Sequence, residues 1–266
     1  MPKHRNAARR SAARRSKRPE VDTGVLGRML IMLAVVAAVV LGVAIFFRVH
    51  TVQVQGNSIY SSQQVAEVSG VEAGDNLLMV NRAEVVGNVI ANLPYVQYVS
   101  VGRILPDTVV IRIEESQVAG LIKADVGSNW YINAEGRILG SSVDQFSGQI
   151  VELTGFTVTA PVAGEDARAS EGMEENLRAA LEILRQLDGT GLISQVSSVN
   201  TEATYDAKLL CGEQYEVQLG GTDELDYKIW LLQEVLKQLP EYQTGIIDLT
   251  LSQERAAHFI PWAEDE

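Results

Sequence analysis

Nineteen consecutive residues, Met29–Phe47 (MLIMLAVVAAVVLGVAIFF), carry no charge, and this run restricts the chain to folds that start at a membrane. A helix of that length, at about 1.5 Å per residue, matches a bilayer's hydrocarbon core of about 30 Å. Residues 1–28 place Lys3, Arg5, Arg9, Arg10, Arg14, Arg15, Lys17, Arg18 and Arg28 before it, against only Glu20 and Asp22. Short basic flanks stay in the cytoplasm, so the N-terminus is expected inside and the remainder outside the membrane. A cleaved signal peptide needs a shorter apolar core and a small-x-small site. Here the run passes into Ile45-Phe46-Phe47-Arg48 without an A-x-A, which favours an uncleaved anchor.

Charge narrows the possible partners. The chain carries −12 overall while its first 28 residues carry +7, so the part beyond them is −19. A surface that acidic repels phosphate and disfavours nucleic acid or anionic lipid as a ligand. The basic arm is Ala-rich and unpatterned, and reads as a disordered topology signal. Cys211 is the single cysteine, which rules out an internal disulfide and leaves core burial to hold the fold.

Beyond the anchor the pattern is a strand through Val49, Val52 and Val54, then a turn at Gly56-Asn57. Ser61 and Gln64 form a capping box for a short helix that Gly70 closes. Asn81 caps a second helix, whose Val85, Val86, Val89, Ile90 and Leu93 make one stripe ending at Pro94. Strands at 95–104 and 108–115 follow, joined across Leu105-Pro106-Asp107. In the second of them Val109, Ile111 and Ile113 alternate with more polar neighbours, as on a sheet with one buried face.

This order resembles the POTRA domain of the FtsQ/DivIB family of bacterial division proteins. The likeness rests on the strand directly after the anchor, Val54-x-Gly56-Asn57, the S-x-x-Q helix and Gly74-x-Asn76-Leu77-Leu78. It continues through Leu93-Pro94-Tyr95-Val96 to the strand pair of residues 101–115. The second half agrees: the hairpin WYINAEGRIL (130–139), an amphipathic helix over 170–187 ending at Gly189, and YEVQLG (215–220). A helix with Lys228 then runs to Pro240, and a last strand, TGIIDLTL, covers 244–251. Asn133 stands where the family often has Asp. Thr250 stands where many Gram-negative members have Arg, which looks more like the DivIB branch. The expected fold is α+β: one transmembrane helix, a POTRA (β-α-α-β-β) domain and a second β-rich α+β domain. The expected division is a disordered tail at 1–28, the helix at 29–47, the POTRA-like domain at 48–117, the distal domain at 118–260 and a short acidic tail at 261–266.

Chemistry is sparse. His4, His50 and His258 are the only histidines, and His258 has neither a G-x-S-x-G elbow nor an S-x-x-K with it. One cysteine and two separated histidines fall short of a usual zinc set. No enzyme activity, metal or cofactor is expected, and the carboxylate runs read as solvated faces.

Docking remains. The last strand, expected at a sheet edge, would alternate Ile246, Asp248 and Thr250 with Ile247, Leu249 and Leu251, and an edge accepts a partner's strand. The plain alternative is that the domain's own helices cover both faces. The family resemblance implies binding of the small coiled-coil proteins FtsB/DivIC and FtsL, alongside other divisome proteins, at the septum. Carried onto this chain, that implicates Ile247, Asp248, Leu249 and Leu251, with Tyr215 and Trp230 as aromatic anchors. Trp230 on a helix suits a core position equally. Phe259 and Trp262, in an otherwise polar tail, are further contact candidates. In the POTRA-like module the strands at 52–55 and 108–112 are the expected edges. A module of an export or outer-membrane assembly system is the alternative function, although those proteins continue into a barrel of long alternating strands.

Overall fold

The computed structural model describes residues 23–141, 150–240, 243–250 and 256–262, so residues 1–22 of the expected basic tail lie outside the described residues, whereas residues 23–28 are the first residues of a helix expected to start at 29. Helix α1 runs Thr23–Phe46, and its Gly24–Phe46 segment is long and apolar enough to cross a membrane. Its side chains are largely exposed, so nothing among the described residues shields this apolar surface.

Strand β1 (Thr51–Gln55) starts two residues later than Val49 leads one to expect. Residues 47–49 instead pair with the 74–77 loop: Leu77 N–H donates to Phe47 C=O and Gly74 N–H to Val49 C=O, both at 2.8 Å. Helix α2 (Ser62–Ser69) carries both halves of the Ser61/Gln64 capping box, and Gly70 closes it in the left-handed region at φ 73°. Helix α3 (Arg82–Asn92) is capped by Asn81, whose side chain accepts from the N–H groups of Ala83 and Glu84. Strands β2 (Val96–Ile104) and β3 (Thr108–Glu115) complete a three-stranded sheet of order β1-β3-β2, in which β1 and β3 are parallel. β3 is therefore central, and the expected edge at residues 108–112 has no open side. The remaining edge candidate, β1, does border the sheet. Val109, Ile111 and Ile113 are buried against Val65, Val85 and Val89 of the helices.

A single carboxylate ties this module together. Glu115, at the end of β3, accepts from the backbone N–H groups of Ser58 (2.8 Å), Ile59 (2.7 Å) and Tyr60 (3.1 Å), and from Ser58 Oγ (2.6 Å). Gly56 (φ 83°) makes this possible, because a Cβ there would overlap the Ile113 carbonyl.

The distal module is a nine-stranded sheet with α4 (Glu174–Thr190) and α5 (Leu225–Gln238) on one face. Its strands are β4 (Gly120–Lys123), β5 (Asn129–Ile132), β6 (Ile138–Ser141), β7 (Val151–Thr154) and β8 (Val196–Asn200). They continue as β9 (Ala207–Cys211), β10 (Tyr215–Gly220), β11 (Gly245–Asp248) and β12 (His258–Pro261). The order across the sheet is β12-β11-β10-β9-β8-β7-β4-β5-β6. Two parallel crossovers, β7-α4-β8 and β10-α5-β11, lay the helices on the core face. Helix α4 starts four residues later than expected and outlasts Gly189. It is Gly191, at φ 76°, that ends it. Met173 precedes the helix, whereas Leu177, Ile183, Leu184 and Leu187 fill the core.

The two modules have separate cores, and a few polar contacts join them. The turn between β5 and β6 reaches back: Arg137 Nη2 donates to Ile90 C=O of α3 at 3.1 Å, and buried Asn133 donates to Ser116 Oγ at 3.2 Å. Gly136 (φ 90°) lets this turn pass α4, since a Cβ there would stand 2.6 Å from Leu181 Cδ1.

Candidate functional site

Strand β11, expected to be the edge, is internal: it pairs with β10 in parallel and with β12 antiparallel. Among the described residues the edge is β12, a segment expected from the sequence to be a tail. The hydrogen-bond directions along β11 follow from its loops. Gly245 N–H donates to Gln214 C=O (3.0 Å) and Leu249 N–H to Gln218 C=O (2.8 Å), so odd-numbered residues of β11 face β10. Even-numbered ones then face β12, in the pairs Thr244–Trp262, Ile246–Ile260 and Asp248–His258. The bond from Trp262 N–H to Thr244 C=O at 3.2 Å fits that parity. The N–H and C=O groups of Phe259, and by the same alternation those of Ala257, point in the sheet plane away from β11. Pro261 offers only its carbonyl there, the usual place for proline in a sheet.

Side chains alternate across the same strand. Phe259 turns to the core face, packing beside Gly245 and meeting the Tyr215 ring edge-on at 6.3 Å and 70°. Ile260 lies opposite Ile246 on the helix-free face and is 52% exposed. A registered row continues from Ile246 through Glu216 and Leu210 to Ser198, all half-buried. Lys208 and Glu216 form an ion pair of 3.3 Å on this face.

The expected site residues divide accordingly. Ile247 and Leu249 are fully buried in the core, which withdraws their side chains from any partner. Asp248 is half-buried, and its Oδ1 accepts from Thr250 N–H (2.9 Å) and Oγ1 (2.8 Å), which locks a turn. Tyr215 is buried, and its hydroxyl donates to Pro240 C=O at 3.1 Å. Burial pushes its pKa up, so it remains a neutral support beneath Phe259. Trp230 is 51% exposed on α5, stacked on Tyr227 with ring centres 5.7 Å apart. Trp262 is 42% exposed at the end of β12, and Leu251 lies outside the described residues. Phe259 and Trp262 therefore come together on the edge strand, while Trp230 stands on α5. Ile260 and the backbone of β12 are the features that sequence reasoning missed. The only local signal was the apolar pair Phe259-Ile260 ahead of a proline.

Lys228 is buried on α5, where Nζ donates to Gly221 C=O at 2.8 Å and lies 3.7 Å from the exposed Asp223 carboxylate. It fastens the turn that leads from β10 into α5. Cys211 is a buried thiol whose pKa is pushed up to about 12 by burial, which keeps it protonated and inert.

Comparison with known proteins follows the same two-module division. Residues 47–116 match the FtsQ-type POTRA domain, and residues 120–250 match the C-terminal domain of cell division protein FtsQ/DivIB. The chain is 27% identical over 216 residues to cell division protein FtsQ of Corynebacterium glutamicum, covering 79% of this chain and 90% of that one. It is 24% identical over 223 residues to FtsQ of Syntrophotalea carbinolica, covering 83% and 76%. Cell division protein DivIB of Macrococcus caseolyticus is 26% identical over 224 residues, covering 80% and 68%. Two domain matches in sequence order behind an apolar helix, together with relatives aligned across most of both chains, show that this chain belongs to the FtsQ/DivIB family of cell division proteins.

Proposed function

We propose that this division protein is a non-catalytic scaffold that captures small coiled-coil partners of FtsB/DivIC and FtsL type by adding a partner strand to β12. The observation that carries this reading is the side of β12 that no described strand pairs, flanked by exposed Ile260 and Trp262. An edge supplies backbone hydrogen bonds for affinity, and alternate side chains supply selectivity. In this reading α1 crosses the cell membrane with the N-terminus in the cytoplasm, residues 48–117 form a spacer module, and the residues from 118 through β12 and Trp262 form the docking module. Holding the partners at the septum would couple them to the enzymes that build septal peptidoglycan. The family resemblance, the acidic exported part and the position of the edge all support this.

The test is co-purification of the full chain with its membrane partners, comparing wild type with Ile260→Lys. The charge is expected to abolish capture of the coiled-coil partners while the melting temperature stays unchanged. Retained capture would defeat the edge reading. A fluorescent fusion separates this function from an export module, because a signal spread evenly around the envelope, without midcell enrichment, would favour export.

A further inference from the structure

A turn beside the outer end of α1 exposes two large apolar side chains: Leu78 is 45% and Met79 80% exposed. The turn is nevertheless firmly held. Leu77 N–H donates to Phe47 C=O (2.8 Å), Val49 N–H to Asp75 C=O (2.8 Å) and Met79 N–H to Asn76 C=O (2.9 Å). Asn76 Oδ1 accepts from Leu78 N–H at 2.9 Å, and Arg103 Nη2 grips the Val80 carbonyl at 2.6 Å. Leu77 itself is buried in the module's core, so the turn cannot swing its two neighbours inward.

Direction decides what those side chains meet. Arg48 and Asn76 form an antiparallel bridge. Passing from residue 48 to 46 leads back into α1, so passing from 76 to 78 leads the same way, toward the surroundings of the helix end. Phe46 and Phe47, in edge-on contact at 5.2 Å, mark that level on the helix side. Arg48 and Arg82 are exposed nearby, and their long stems can lie along an apolar phase while the guanidinium groups stay in water. Glu72, Asp75 and Glu84 in the same region disfavour attraction to anionic headgroups, so the contact is an apolar one.

We infer that Leu78 and Met79 insert into the interface of the bilayer that α1 crosses, giving the POTRA-type module a second membrane contact that sets its tilt. This rests on reading α1 as membrane-crossing. The occupant follows from the hydrogen bonds: the turn is tied to the last residues of the helix, so whatever surrounds that end also surrounds the turn.

The test uses the full chain in phosphatidylcholine vesicles, with an environment-sensitive fluorophore attached at Met79→Cys, Val126→Cys or Val36→Cys, one site at a time. Cys211 is buried and stays unlabelled. Lipids bearing a nitroxide quencher at shallow or deep positions report contact. The probe at 79 is expected to shift to the blue and lose fluorescence to the shallow quencher, whereas the probe at 126, an 81% exposed position in the distal module, does neither. The probe at 36, within α1, is expected to be quenched by the deep lipid. If 79 behaves like 126 while 36 is quenched, the inference is overturned and the anchor stands. If 36 is also unquenched, the membrane-crossing reading fails and takes the inference with it. A blue shift at 79 without lipid quenching means that protein covers the turn, which also overturns it.

Discussion

Replacing Ala257 by proline separates the backbone of the edge from its side chains. By the parity of the β11–β12 ladder, the Ala257 N–H points away from β11, so its loss leaves the Asp248–His258, Ile246–Ile260 and Thr244–Trp262 pairs intact. The variant should therefore keep its stability within about 0.5 kcal/mol, as for an unobtrusive surface change. A partner strand loses one hydrogen bond, worth about 0.5–1.5 kcal/mol net, which is roughly a 2- to 12-fold rise in Kd. The pyrrolidine ring adds to that by intruding where a new strand would lie, about 4.8 Å away. His258→Pro is the contrasting control: its N–H points into the ladder, so the variant should lose about 1–3 kcal/mol of stability for the orphaned Asp248 carbonyl and loosen β12 as well. The assay pairs thermal melting of the full chain in nanodiscs with interferometry against the purified coiled-coil partner. A folded Ala257→Pro protein whose Kd is unchanged would refute strand addition at β12.

Three further outcomes follow from the packing. Leu249→Ala, in the core and not at the edge, should cost about 2–5 kcal/mol in denaturant melts, and any loss of binding should track unfolding. Burial tends to raise the pKa of Glu115, but the bonds from the Ser58 side chain and the Ile59, Tyr60 and Ser58 N–H groups outweigh it and hold the pKa below its ordinary value. That stabilisation is complete above the unfolded value of about 4.3 and disappears as pH falls through the lower folded value. Glu115→Gln should thus lower the melting temperature at neutral pH and flatten the acid limb. Arg137→Leu removes a charge-assisted bond to the Ile90 carbonyl, worth about 1.5–3 kcal/mol, and should speed hydrogen exchange at the end of α3 without changing either core.

The POTRA-type module was legible because its signals are local. Ser61 with Gln64, Asn81 and the 109/111/113 alternation each act within a few residues, and each appears in the structure at its expected place. The distal sheet was not legible in the same way. β4 pairs with β7 and β7 with β8 in parallel across long stretches of chain, and β7, β8 and β9 are only four or five residues long, too short to declare a period. The edge was hidden for a related reason: Phe259, Ile260 and Trp262 follow a polar stretch and surround a proline, so a four-residue strand read as a tail. The two sides of β11 alternate as its sequence suggests, but the face of Ile247 and Leu249 belongs to the core, which only the crossover through α5 decides.

The strand order also has a mechanical consequence. β12 and β6 border opposite sides of one hydrogen-bonded sheet, and eight strand spacings set them about 38 Å apart. The turn that leads into β6 carries Arg137 and Asn133, the residues that touch the first module. A sideways pull on anything bound at β12 thus acts through a stiff arm on a pivot where Arg137 and Asn133 make polar contacts. Leverage concentrates the load there, so the junction should yield before any strand separates, and tension at the edge would register first as a change of angle between the modules.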